Sequence, residues 1–222
     1  MRSSGSTRSP RPSPPIRLFV VLAGEDHPKA CTGRRLLHRG LARAIREPDA
    51  LPVPPILLDP YATDPLAPRD RRAAERGGIV AVDCSWNRLA GRGRVPGVTA
   101  GRAVRRRLPI LIATNPQHYG RPAQLNTVEA LAASLAVLDR TDDARRLLAG
   151  FRGSDSFLAV NAARLAAYAA GRDADDVRAA EVRLFGGDDA AERAPATPGS
   201  GTDAPRSEGA RSARPRRSRP DR

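Results

Sequence analysis

Four short apolar runs, Ile16 to Leu22, Ile56 to Leu58, Ile79 to Val82 and Leu108 to Ala113, are each bounded by proline, glycine or charge. All are too short for a buried helix, and runs of this kind suit strands covered on both faces, so they predict a mostly parallel sheet. Between them Leu36, Leu37, Leu41, Ala44 and Ile45 recur at helical spacing, as do the apolar residues from Ala67 to Arg76. Strands alternating with helices make this part of the chain α/β.

Past Gly120 only helical periodicity remains. Asn126 followed three positions later by Glu129 has the spacing of a capping box, and Val128, Leu131, Leu135 and Leu138 then share one face. Further helices are predicted at about 142 to 151, 155 to 170 and 174 to 184. The organisation expected is an α/β part over residues 16–122 and a mostly helical part over 123–190. Residues 1–15 and 191–222, rich in Ala, Pro, Ser, Gly and Arg, cannot bury enough apolar surface to fold and are expected to be disordered basic tails.

The net charge of +14 over 222 residues is unevenly spread. The tails hold +7 of it; residues 27–46 carry six Lys or Arg and residues 84–121 eight Arg, with no acid in either segment. Residues 124–190 carry eight Arg and eleven acids. Two distant basic segments that meet would form a phosphate-binding face. In the first, Arg35, Arg39, Arg43 and Arg46 fall at helical spacing on one stripe, and in the second Arg105, Arg106 and Arg107 are the densest cluster. A solvated face in an arginine-rich chain is the alternative.

Two cysteines, Cys31 and Cys84, exclude a disulfide-built scaffold and a four-cysteine zinc module, and point to a reducing cytoplasm. His27, Cys31, His38 and Cys84 lack the close dyads of a zinc site, so no metal is expected. No apolar run approaches the ~20 residues of a membrane helix, and no membrane partner is expected.

Chemistry concentrates where strands or loops meet helix starts. Thr32 and Thr127 are placed at helix N-termini, where free N–H groups and the dipole receive a carboxylate or phosphate, although ordinary capping explains each alone. Asp83 follows a buried strand and emerges at the carboxyl edge of the sheet, the edge that binds ligands in open α/β folds; a loop-capping role is the alternative. Trp86, the single tryptophan, either anchors the core or lines an adenine slot with Leu58 and Pro60. Neither GxGxxG nor GxxxxGK[ST] occurs.

Taken together, CTGRRL, VDCSW, the LPILIATNP to YGRP run, LNTVEA and FRGSDSFLAVNAARLAAY resemble the small-subunit rRNA aminocarboxypropyltransferases of ribosome biogenesis, over about residues 16 to 185. The resemblance implies a SPOUT-like knotted α/β part with a mostly helical C-terminal part. It implies transfer of the 3-amino-3-carboxypropyl group of S-adenosyl-L-methionine to N3 of a pseudouridine or N1-methylpseudouridine in small-subunit rRNA, by a monomeric protein. By the same resemblance Thr32 and Thr127 hold the methionyl carboxylate end, Val82 and Leu108 contact the ribose, and Leu58, Pro60, Trp86, Leu125 and Ala130 wall the adenine. Ala123 contributes through its main chain where the family often has Tyr; Ala67 and Asn126 stand where Ser is usual. Asp83 is the candidate for accepting or orienting the N3 proton. A non-catalytic RNA-binding assembly factor and a SPOUT-like RNA methyltransferase are the alternatives.

Overall fold

The computed structural model describes residues 14–23, 31–89, 93–95, 98, 101–151 and 154–186. The expectations for His27, for Lys29 and for most of the two tails lie outside the described residues.

Five strands form one parallel sheet: β1 (Leu18–Leu22), β2 (Arg43–Ala44), β3 (Ile56–Leu58), β4 (Ile79–Asp83) and β5 (Val104–Arg106), in the order β2-β1-β4-β3-β5. The helices are α1 (Thr32–His38), α2 (Arg71–Gly77), α3 (Trp86–Leu89), α4 (Thr127–Val137), α5 (Thr141–Leu148), α6 (Asp155–Val160), α7 (Ala162–Ala169) and α8 (Ala174–Phe185). Alternate strand residues point to opposite faces. Val20, Ile56, Leu58, Ile79 and Ala81 therefore join the main core with Leu36 of α1 and with Val128, Leu131 and Leu135 of α4. Phe19, Val21, Leu57 and Val80 form a smaller cluster on the other face, closed by Ile45, Leu51, Val98 and Ala103.

Two expectations are corrected. The helix drawn from Leu36 to Ile45 stops at His38, because Gly40 adopts φ +66 and closes the end: its N–H donates to the Leu37 carbonyl at 3.0 Å and that of Leu41 to the Leu36 carbonyl at 3.0 Å. This is a Schellman cap, and the left-handed residue it needs is the one a glycine supplies without strain. Arg43 consequently lies on edge strand β2 and not on a helical stripe with Arg35 and Arg39.

The second correction concerns residues 108–113, expected as a strand. They make no strand ladder, only a single bridge from Ile112 to Pro122, and the fifth strand is Val104–Arg106 instead. Polar groups along this stretch are satisfied by side chains from the helical half. Ile110 N–H donates to Glu181 Oε1 (2.9 Å), and the Ile110 carbonyl accepts from the Tyr168 hydroxyl (2.9 Å). Ile112 N–H donates to Asn161 Oδ1 (2.8 Å), and its carbonyl accepts from Asn161 Nδ2 (2.9 Å). Thr114 N–H donates to Glu129 Oε1 (2.8 Å). Asn161 sits at the junction of α6 and α7, where it interrupts the helix expected to run unbroken from 155 to 170.

Asn161 is fully buried, so its removal strands both an N–H and a C=O of Ile112. At about 1–3 kcal/mol for each of the two unsatisfied groups, Asn161→Ala is expected to lose about 2–6 kcal/mol in denaturant unfolding. A loss under about 0.5 kcal/mol, the range of an ordinary surface change, would show that the segment is not held this way.

Candidate active site

The carboxyl edge of the sheet gathers the residues singled out above. Leu58 ends β3, Val82 and Asp83 end β4, Thr32 opens α1, Trp86 opens α3 and Thr127 opens α4. Helix α4 packs on both β4 and α1, which brings its N-terminus to the end of the central strand.

Asp83 is the centre of this arrangement. Its side chain is 7% exposed and is gripped from two sides: the Cys31 thiol donates to Oδ2 at 2.6 Å, and the Thr127 hydroxyl donates to Oδ1. Gly33 lies against the same carboxylate so closely that a Cβ there would come within 2.8 Å of Asp83 Cγ, so any side chain at this position would displace the acid. Cys31 also caps α1, its sulfur accepting from Arg34 N–H at 3.3 Å. Burial, and then the hydrogen bond to Asp83, push the Cys31 thiol up to about 11. It therefore keeps its proton near neutrality, which is the form that can donate to the carboxylate.

A second contact fixes the apolar wall. Trp86 Nε1 donates to the Leu125 carbonyl at 2.8 Å, which ties the start of α3 to the loop before α4. Trp86 is half-buried and Leu125 buried. Val82, Leu108, Ala123 and Ala130 are half-buried, as is Pro60, two residues beyond β3. The structure thus joins Thr127 to Asp83 and Trp86 to Leu125 directly, and places Thr32 beside Cys31 at the same edge.

The loop before α4 is set by Glu129, which is fully buried. Asn126 accepts from Glu129 N–H at 2.9 Å and donates its own N–H to Glu129 Oε2 at 3.0 Å, the capping box expected from the spacing. The same carboxylate accepts from Thr114 N–H and Oγ1, both at 2.8 Å, and from Asn115 Nδ2 at 2.7 Å. Sequence reasoning assigned Glu129 a capping role and missed this second one; Cys31, adjacent to Thr32 at a helix start, was weighed as a zinc ligand and not as a partner of Asp83.

The arginine cluster departs from expectation. Arg105 pairs with buried Asp59, Arg106 grips Asp70 through Nε and Nη2 at 3.0 and 3.1 Å, and Arg107 holds Glu181 with two contacts of 2.7 Å. These guanidinium groups neutralise buried carboxylates, so the positive charge counted along this stretch is largely balanced inside the fold. Arg34, Arg35, Arg39, Arg43 and Arg46 differ: all are exposed, and none has a carboxylate partner among the described residues. Arg35 and Arg39 both lie over the buried Phe151 ring, 4.9 and 5.1 Å from its centre.

The donor set suits a small zwitterionic ligand with an aromatic end. The first turn of α4 presents N–H groups that have no acceptor within the helix, Asp83 offers negative charge, and Trp86 with Leu58 and Leu125 offers apolar surface. Among the described residues, no three metal-ligating side chains cluster, and no helix is long and apolar enough to cross a membrane.

Comparison with known proteins shows the family. The family described as "Ribosome biogenesis protein, C-terminal" matches residues 56–185. The chain is 39% identical to a 16S rRNA aminocarboxypropyltransferase of Vulcanisaeta distributa, over 70% of its own length and 83% of that protein's. It is 41% identical to one of Methanopyrus kandleri, over 68% and 88%, and 35% identical to an 18S rRNA aminocarboxypropyltransferase of Schizosaccharomyces pombe, over 77% and 58%. Its structure matches that of the SAM-dependent rRNA:acp-transferase from Vulcanisaeta distributa with a TM-score of 0.69 and 38% identity, covering 78% of this chain and 91% of the other. On these matches the chain belongs to the small-subunit rRNA aminocarboxypropyltransferase family.

Proposed function

We propose that the protein transfers the 3-amino-3-carboxypropyl group of S-adenosyl-L-methionine to N3 of a pseudouridine or N1-methylpseudouridine in small-subunit rRNA. The observation that carries this reading is Asp83, a buried acid at the end of the central strand, held between the starts of α1 and α4 and beside the Trp86–Leu125 wall. S-adenosyl-L-methionine supplies the group on a sulfonium, which leaves as methylthioadenosine. With so good a leaving group, the protein's task is mainly to align the acceptor nitrogen with the reacting methylene.

Thr32 and Thr127 hold the carboxylate end of the donor, Val82 and Leu108 meet its ribose through their backbones, and Leu58, Pro60, Trp86, Leu125 and Ala130 enclose the adenine. Ala123 contributes its main chain. Asp83 receives the proton that leaves N3 as the new N–C bond forms. Each of its oxygens accepts one hydrogen bond, and a carboxylate oxygen has two lone pairs, so capacity for a further proton remains. The knotted path belongs to the same proposal. What supports it is that residues 107–110 are held by α7 and α8, which follow α4 in the chain, while α4 itself packs back on α1 and β4, which precede that segment.

The protein incubated with small-subunit rRNA and donor labelled in its carboxyl carbon is expected to place label in the RNA and release methylthioadenosine. Adenosylhomocysteine, with label appearing only from the donor methyl group, would make it a methyltransferase. Binding without any transfer would make it an assembly factor. Asp83→Asn is expected to lower the transfer rate about 10²- to 10⁴-fold at saturating donor, and full activity would remove the base role.

RNA attraction is assigned to the acid-free arginines of residues 34–46. Replacing Arg35 and Arg39 by Ala is expected to reduce the slope of log binding constant against log salt by about 1.4 to 1.8, at 0.7–0.9 per phosphate contact. Arg106→Ala is expected instead to destabilise the fold by about 3–5 kcal/mol by leaving Asp70 unpaired. An unchanged slope in the first variant would return those arginines to solvent.

A further inference from the structure

Gly120, the Arg121 backbone and Pro122 are all tied into the fold, while the side chains of Tyr119 and Arg121 are exposed. Residues 113–122 close on themselves: Gly120 N–H donates to the Ala113 carbonyl and Ala113 N–H to the Arg121 carbonyl, both at 2.9 Å, while Ile112 bridges Pro122. Within the loop, His118 N–H donates to the Asn115 carbonyl (3.2 Å) and to Asn115 Oδ1 (3.0 Å), and Arg121 N–H to the His118 carbonyl (2.9 Å). Asn115 is itself anchored to Glu129, in the same helical turn as the Asp83 partner Thr127. A compact loop with joined ends, set beside a site, is a form that binding loops often take.

On this pinned loop Tyr119 is 70% exposed, more than any other large apolar side chain among the described residues, and its hydroxyl has no partner among them. Arg121, two positions on, is exposed and has no carboxylate partner among the described residues. An aromatic ring left in water costs free energy that folding would ordinarily recover by burial, and here nothing in the described fold covers it.

The chemistry of the acceptor indicates what covers it. N3 of a uracil-type ring lies on the Watson–Crick edge, so it is available only when the nucleotide is unpaired. An enzyme acting on such an atom takes the base out of the stack, which leaves the flanking base without its stacking neighbour. Single-stranded RNA is commonly held by placing such bases on aromatic side chains.

We propose that Tyr119 is the stacking platform for an unpaired rRNA base flanking the acceptor nucleotide, with Arg121 on the adjoining phosphate. This inference rests on the rRNA-transferase reading above. The probe is a small-subunit rRNA stem–loop carrying the acceptor pseudouridine, with 2-aminopurine substituted in turn at each flanking position. Binding of the wild-type protein is expected to quench the fluorophore at one flank, and Tyr119→Phe to preserve the quench. Tyr119→Leu is expected to abolish it and to raise KM for the RNA about 5- to 150-fold, with donor affinity and melting temperature at their wild-type values. Quenching that survives in Tyr119→Leu, or a KM that does not move, would overturn the platform. Wild-type protein that transfers no label to rRNA would overturn the transferase reading, while the quench would still report on Tyr119 by itself.

Discussion

The capture of residues 107–115 by side chains from the helical half is the constraint on which the rest of the structure depends. An extended backbone buried without a strand partner carries N–H and C=O groups that cost about 1–3 kcal/mol each if left unmade. Here Glu181 of α8, Tyr168 of α7, Asn161 between α6 and α7, and Glu129 of α4 supply partners at successive alternate residues, 110, 112 and 114. Sheet half and helical half are thereby one cooperative unit. Moving any of these helices strands a buried polar group, so the position of α4, and with it Thr127, is determined from both sides.

Buried carboxylates divide into two electrostatic classes, and the division marks the site. Asp59, Asp70 and Glu181 each face an arginine from the strand β5 region, where loss of the cation would leave an uncompensated charge. Asp83 and Glu129 are served only by thiol, hydroxyl, amide and backbone N–H donors among the described residues. In a chain with 38 Lys and Arg against 24 acids, two buried acids without a guanidinium partner are conspicuous. Asp83 is thus fixed in place by neutral donors, with no guanidinium beside it among the described residues.

Much of this was readable from residue patterns, and the failures have particular causes. The strands β1, β3 and β4 were legible because central parallel strands are apolar on both faces. Edge strands β2 and β5 were not: Arg43–Ala44 and Val104–Arg106 carry the charges that edges tolerate, so they do not look like strands. The run 108–113 has strand composition because it is buried, yet its side-chain partners lie 49 to 71 positions away, which no local pattern reveals. The Arg105 to Arg107 cluster misled for the same reason, since charge along the sequence says nothing about which acids fold against it. Asp83, Thr127 and the Asn126–Glu129 box were legible because each sits at a strand end or helix start, where chemistry and local structure coincide.

Ala123 shows how the two halves of the argument meet at one backbone position. It adopts φ 60, a conformation that costs a residue with a Cβ about 1–2 kcal/mol. Its N–H donates to the Leu111 carbonyl at 2.8 Å, which holds it to the captured segment; two residues later the Leu125 carbonyl accepts from Trp86. Between these anchors the chain must reverse out of the 113–122 loop and enter α4 within a few residues, and the left-handed turn at 123 is what makes that short path possible. The strain is sustained because both flanking hydrogen bonds and the Glu129 clamp over-determine the loop. On the proposed reading of the site, what Ala123 gives the donor is its main chain, oriented by this turn.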